Sequence, residues 1–212
     1  MANINYSELL REVLPNLAAD PSEPVAVNAI KRAVIEFCAG ARVWQHLPDA
    51  LDVTAGELTA DLEPEQGADV SIVMHVALHG VPLENKSIDW LDQNSPGWRS
   101  VPGTPRYFTQ IDTEQIILAP LPAASARQAL VMTLALKPSH SASGFPRWLF
   151  NQYLYDLANG ATARLMLMVN KPWTDIAGGA DRRTQFEQAM SNARGHAAHG
   201  LGRAPVRTGS QH

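Results

Sequence analysis

Apolar positions recur at steps of three and four near both ends of the chain and lose that rhythm in the middle. From Asn5 to about Ala19, residues Tyr6, Leu9, Leu10, Val13, Leu14 and Leu17 follow helical spacing. Asn5 is placed to cap the first turn. Pro15 should kink or end the regular part near Leu14, because its ring clashes with the preceding turn. A second segment opens at Asp20-Pro21-Ser22-Glu23-Pro24, where Asp20 and Ser22 are candidate caps and a proline fits a first turn. Val27, Ile30, Val34, Phe37, Cys38 and Ala41 then form one apolar stripe, with Lys31, Arg32 and Glu36 off it. This predicts an amphipathic helix roughly 30 Å long at about 1.5 Å per residue.

Between about Val43 and Pro138 the helical period is lost. Leu51 to Leu62, Val70 to Leu78, Arg106 to Ile111, Gln115 to Leu118 and Ala129 to Leu136 read as strands. Glu63-Pro64, His79-Gly80, Ser95-Pro96-Gly97, Pro102-Gly103 and Pro120-Leu121-Pro122 punctuate them as turns. Short strands at this spacing predict a small antiparallel sandwich or barrel.

Helical spacing returns after Ser141-Ala142-Ser143-Gly144. Pro146 is placed as a first helical residue, and Trp148, Leu149, Leu154, Leu157, Ala158, Ala161, Leu165 and Met168 give a third long amphipathic segment. It should stop before Lys171-Pro172-Trp173, since the residue before a proline disfavours helix. Thr174 and Asp175 can cap a fourth segment reaching about Ala198, with Phe186, Ala189, Met190 and Ala193 on its apolar face. Gly178-Gly179 in its first turn disfavours helix by about 1 kcal/mol per glycine relative to alanine, which predicts fraying. The expected fold is therefore α+β: a bundle of about four helices, interrupted by a small antiparallel β-rich insertion. The expected boundaries are residues 1–44 and 139–200 for the bundle and 45–138 for the insertion. Residues 201–212, with glycines, a proline, two arginines and no acid, are expected to be a flexible tail.

Composition narrows the function classes. The 212 residues are 45% hydrophobic, enough for a packed core, and the net charge is -4. That balance argues against a dedicated nucleic-acid binder, which carries a basic surplus. Cys38 is a lone cysteine, so nothing signals an oxidising compartment. No basic stretch followed by an apolar run marks a signal peptide at the start, and Leu165–Val169 is far too short to span a membrane. A soluble protein made in a cytoplasm is expected.

Candidate chemistry is sparse. His196 and His199 are three apart near a helix end, but no further ligand follows to complete a zinc site. His75 and His79 are four apart in a strand reading, where they do not converge. Cys38 lies on the apolar stripe, as a buried, inert thiol would. Ser139, His140 and Ser141 are adjacent in a turn, and Asp89 with Asp92 or Asp61 with Glu63 read as solvated turn charges. No nucleophile elbow, phosphate loop or dinucleotide fingerprint is present. The expectation is no enzyme, with no catalytic, cofactor-binding or metal-binding residues and no cofactor. Trp90 and Trp98, followed by Tyr107 and Phe108, stand out in a turn-rich stretch; they serve either as bulk in a small β core or as anchors of a protein–protein contact. Arg147, Arg164, Arg182, Arg183 and Arg194 read as helix solvation, with pairing between subunits as the alternative.

Three stretches resemble the head-to-tail adaptor (connector, head completion or tail tubular) proteins of tailed bacteriophages. Tyr6-Ser7-Glu8-Leu9-Leu10 with Asn28 to Cys38 is similar to their first helical pair. Gly103-Thr104-Pro105-Arg106-Tyr107-Phe108-Thr109, Ile116 to Pro122 and Leu136-Lys137-Pro138 are similar to their β region. Trp148 to Tyr153, Ala163-Arg164-Leu165 and Lys171-Pro172-Trp173 are similar to their third helix and its exit. The resemblance implies a homo-oligomeric ring, usually dodecameric, in the virion neck. It would dock on the portal protein, extend a channel through which DNA passes without sequence-specific binding, and receive a tail or nozzle protein; no membrane is involved. It carries no catalytic residues over. A channel wall that is acidic or mixed, and a tail after Gly200 that orders on the portal, are further expectations. Another neck or tail-terminator ring protein, a monomeric protein-binding module, and an enzyme with a dispersed site are the competing readings.

Overall fold

The computed structural model describes residues 3–199. The chain divides into two compact units, one built from both chain ends up to Val43 and from Lys137, the other spanning Trp44–Leu136. Five α-helices lie among the described residues: α1 (Leu10–Val13), α2 (Glu23–Ala41), α3 (Ile88–Asn94), α4 (Arg147–Met166) and α5 (Ile176–His199). The expected tail at residues 201–212, and its ordering on a partner, lie outside the described residues.

In the unit of the chain ends, α2, α4 and α5 pack on one another. The α2 stripe is broader than its spacing suggested: Ala26, Ala29 and Ala33 are buried with Ile30, Val34, Phe37, Cys38 and Ala41, while Val27 is half-buried. Small residues on those extra positions let neighbouring helices approach from more than one side. Phe37 meets Tyr153 and Phe186 at 4.9 and 5.9 Å between ring centroids. Gly160 faces Phe186 so closely that a Cβ there would sit 2.5 Å from the ring. Helix α2 ends at Arg42, which takes the left-handed conformation with φ 54° and returns its N–H to the Cys38 carbonyl at 3.0 Å. Asp175 Oδ1 accepts from the Gly178 N–H at 3.0 Å, the N-terminal cap expected for α5. Its glycines have a packing role: a Cβ on Gly179 would come within about 3.1 Å of Leu167 and Met166.

The first segment is not one helix. Asn5 does cap it, its side chain accepting from the Ser7 N–H at 3.2 Å. The chain then runs through a 3-10 turn (Tyr6–Leu9), the single turn of α1, and a second 3-10 turn (Leu14–Asn16) that contains Pro15. A short, proline-broken stretch cannot repay helix nucleation. Just before it, Asn3–Asn5 pairs antiparallel with Gly144–Pro146, so this unit carries its own two-stranded sheet.

The other unit holds the remaining sheets. The largest contains strands Ala68–Leu78 and Ala126–Pro138 as neighbours, with Gln45–His46, Leu51–Val53 and Val81–Pro82 at its margins. Val70, Val73, Val76, Leu130, Met132, Leu134 and Leu136 fill its core. Pairing with Leu51–Val53 shifts register between Ala126 and Leu130, where Gln128 has φ 47° and gives its N–H to Asp52 Oδ1 at 2.7 Å. A four-stranded sheet runs Thr59–Asp61, Gln115–Ala119, Tyr107–Gln110, Glu84–Asn85. Its last pair is parallel, as is the separate pair Pro102–Gly103 with Leu121–Pro122.

This corrects the expected fold class. The chain is a sheet-rich α+β protein, 41% helix and 28% strand in four sheets, and not a bundle of about four helices with a small antiparallel insertion. Two physical facts account for the difference. The first segment is too short and too broken to serve as a bundle helix. Two long strands, of 11 and 13 residues, together with parallel pairs between distant segments, make the sheets a principal part of the fold.

Candidate interaction surfaces

The residues with distinctive chemistry lie on surfaces, and they begin with a charge cluster joining three helices. Glu36 projects from α2 toward α4 and α5. Its Oε1 accepts from Arg183 Nη2 at 2.6 Å, and its Oε2 accepts from Arg183 Nη1 at 3.0 Å and from Arg164 Nη2. Arg183 also donates through Nε to Glu187 Oε1 at 2.6 Å, one turn along α5. Burial pushes the Glu36 carboxyl up, but the hydrogen bonds and charges of Arg183 and Arg164 outweigh it and hold it below the usual glutamate value. The same hydrogen bonds to Glu36 hold the Arg183 guanidinium above its ordinary range. Arg164 and Arg183, expected to solvate their helices or to pair between subunits, pair with Glu36 within this unit. Nothing in the spacing of α2 marked Glu36, which stands off the apolar stripe like any solvated acid.

Beside this cluster lies an open groove of about 660 Å³. Pro24, Val25 and Ala29 of α2 and Leu167 and Met168 after α4 supply apolar walls, and Asn28, Arg32, Arg164 and Arg183 supply polar groups. A second cavity of about 450 Å³ shares Asn28, Arg32 and Arg164 and adds Lys31, Glu36 and His140. Lys31 Nζ donates to the carbonyls of His140 and Ala142. Arg32 is exposed and has no hydrogen-bonding or ion-pair partner among the described residues.

The turn from α4 to α5 forms an apolar corner next to the groove. Val169 is 68% exposed and Ile176 52%, with Leu167 and Pro172 also exposed. Asn170 takes the left-handed conformation with φ 58°, and Thr174 Oγ1 accepts from the Lys171 N–H at 2.9 Å, which fixes the shape of this turn. Midway along α4, Tyr155 is 75% exposed.

In the strand unit the tryptophans serve mainly as core. Trp98 is buried with Leu91 and Ala119, and Trp90, Tyr107, Leu58 and Ile117 pack against that cluster. Trp98 Nε1 donates to Asp92 Oδ1 at 2.8 Å. Arg99 stacks over the Trp98 ring at 4.2 Å and bonds the same carboxylate. Hydrogen bonds from Arg99 and Trp98 hold the Asp92 carboxyl below its ordinary value. Lys86 Nζ lies 4.7 Å over Trp90, whose ring meets Tyr107 edge-on at 5.1 Å. Val81, Val101 and Ile111 are exposed in this unit.

The residues singled out for chemistry do not converge. Cys38 is buried, and burial pushes its thiol up to about 12. His75 and His79 are exposed, the latter in a left-handed turn with φ 50°. Asp61 accepts from Gln115 across a strand pair at 2.9 Å. Among the described residues no three or more His, Cys, Asp or Glu side chains are grouped to hold a metal, and no helix is long and apolar enough to cross a membrane.

Two units with apolar and charged features on their outer faces fit a protein that works by contact with other proteins. The chain belongs to the SU10 adaptor protein family, whose model matches residues 4–209, and is thus a phage head-to-tail adaptor. No curated protein matches it.

Proposed function

We propose that the protein is a ring-forming subunit of the virion neck that docks on the portal, continues the DNA channel and presents the attachment site for the tail. It acts as structure, without a catalytic step and without a cofactor. The observation that carries this reading is the family match, which runs through both units and not one alone. The surfaces add support. The exposed corner of Leu167, Val169, Pro172 and Ile176 has the apolar character of a patch that a partner covers. In this reading the helical unit forms the ring wall and the strand unit reaches the next component. DNA passes without specific contacts, in keeping with a net charge of -4.

The test is to mix the purified protein with its portal ring and image the mixture by electron microscopy. A ring of added density on the portal, in register with its symmetry, is the expected result. Binding to the tail tube and not to the portal would move the protein to the tail-terminator class. A monomer that binds neither would overturn the reading.

A further inference from the structure

Two charged groups on the helical unit lack the partners that their neighbours have. Arg164 and Arg183 are tied to Glu36, and Lys31 to two carbonyls, but Arg32 stands in the groove unpaired. On α4, Asp156 is half-buried and likewise has no hydrogen bond or ion pair among the described residues. Burial alone pushes its carboxyl above the ordinary aspartate value. A partly desolvated, unpaired carboxylate is unfavourable, and a cation supplied from outside would relieve it. Immediately before it stands Tyr155, 75% exposed, with Trp148, Asn151 and Gln152 within a turn or two on the adjoining surface.

The positions of these groups matter as much as their chemistry. Tyr155 and Arg164 are nine residues apart on α4, beyond its kink at Tyr153. At about 100° per residue they point to opposite sides of the helix, whereas Asp156 lies only about 80° around from Arg164, on the flank between them. The exposed Tyr155 and the groove-lining Arg164 are therefore on different faces of one packed unit, with Asp156 on the flank that joins them. A contact made by two different faces is heterologous, and it repeats around a ring where the rotation between copies closes. The charges are complementary too: the groove and the cavity beside it hold Lys31, Arg32, Arg164 and Arg183 against Glu36, in a chain whose net charge is -4. A groove of about 660 Å³ with apolar walls suits a tyrosine ring better than a phosphate chain.

We propose that Tyr155 and Asp156 of one copy enter the groove of the next, with Tyr155 between Val25 and Met168 and Asp156 facing Arg32. This contact rests on the ring reading above and names the two faces that make it. It also accounts for an exposed tyrosine, which is enriched at the centres of protein interfaces.

Disulfide trapping in the full-length protein assembled on its portal tests it. A variant carrying both Asn28→Cys and Tyr155→Cys, oxidised after assembly, should give a denaturing-gel ladder running well past the dimer. Neither single variant should, and the buried Cys38 contributes no background. Rings without a ladder would overturn the contact and leave the ring reading standing. No rings from the unaltered protein would overturn both. Dimers from the Tyr155→Cys variant alone would mean self-pairing of one face, and would also overturn it. A second pair of variants separates contact from folding. Asp156→Asn should raise the thermal midpoint of the free subunit and yet weaken ring assembly about ten-fold, as should Arg32→Glu without change in the midpoint. If Arg32→Glu instead weakens retention of duplex DNA and leaves assembly intact, the groove serves phosphate and the proposal fails.

Discussion

The two units bury their cores by different means. In the helical unit, residues that meet come from opposite ends of the chain: Phe37 with Phe186, and Glu36 with Arg164 and Arg183. In the strand unit the core comes from one continuous stretch, Trp44–Leu136, folded back on itself by turns. The backbone records this. Of the residues with positive φ, the helical unit has Arg42 and Asn170, whereas the strand unit has Gly56, Gly67, His79, Gly80, Gly97 and Gln128. The helical unit should thus be most sensitive to side chains that match across long sequence separations. The strand unit should be sensitive also to residues that set the path of the backbone.

Core truncation should give the largest effect. Phe186→Ala removes a fully buried ring from between α2 and α4 and should destabilise by about 3–5 kcal/mol, read by chemical denaturation. Leu130→Ala, its counterpart in the strand unit, should cost about 2–5 kcal/mol. The comparison sharpens with Gly160→Ala, whose methyl would meet the Phe186 ring at 2.5 Å. In a Phe186→Leu background that substitution should be far less harmful, because the two sites are coupled. Purely additive effects would show that the close approach does not hold the helices together.

Next comes the charge cluster. Glu36→Gln leaves Arg164 without an acid and Arg183 with Glu187 alone, in a partly buried site, and should destabilise by about 1–3 kcal/mol. Its signature is the dependence on pH. The folded-state pKa of Glu36 lies below the ordinary 4.5, so the folded state gains from ionisation. That gain is present above pH 4.5 and is lost as pH falls through the lower folded-state value. Denaturation curves of the unaltered protein and of Glu36→Gln should therefore converge in this acidic window. A gap that persists unchanged below it would remove the cluster from the account.

The smallest effects should come from turns of the strand unit. Gly97→Ala places a side chain at φ 82° and brings its Cβ to 3.0 Å from Val101, which should cost about 1–2 kcal/mol. Gly67→Ala, at φ 80° with nothing within 4 Å, should cost only the backbone part, about 1 kcal/mol. Equal values would mean that Val101 moves aside freely.

Much of the local structure was legible in the order of residues. Helices α2, α4 and α5 stand close to where periodicity, prolines and caps place them, because each is long enough for several turns to repeat one pattern. Helix α3 was not legible: its seven residues offer too little repeat, although Ser87 Oγ accepts from the Trp90 N–H at 3.2 Å as an N-cap. The tryptophans were ambiguous between core and contact, and packing against Leu91 and Ala119 decides for core in the case of Trp98. Of the candidate surfaces, the arginines were visible but their roles were not. Pairing of Arg164 and Arg183 depends on Glu36, more than a hundred positions away, and no local pattern encodes that separation.

By itself, then, the sequence determined where the three long helices lie, that the middle of the chain is largely extended, and that no familiar catalytic signature is present. Those properties follow from local sterics and from the spacing of apolar side chains. Only the tertiary structure decided that the sheets are a principal part of the fold and that two pairs of short strands run parallel. It alone put Glu36 between two arginines and set an unpaired Arg32 and an unpaired Asp156 on the same unit. Each of these joins residues distant along the chain, and their meeting is fixed by packing of the whole.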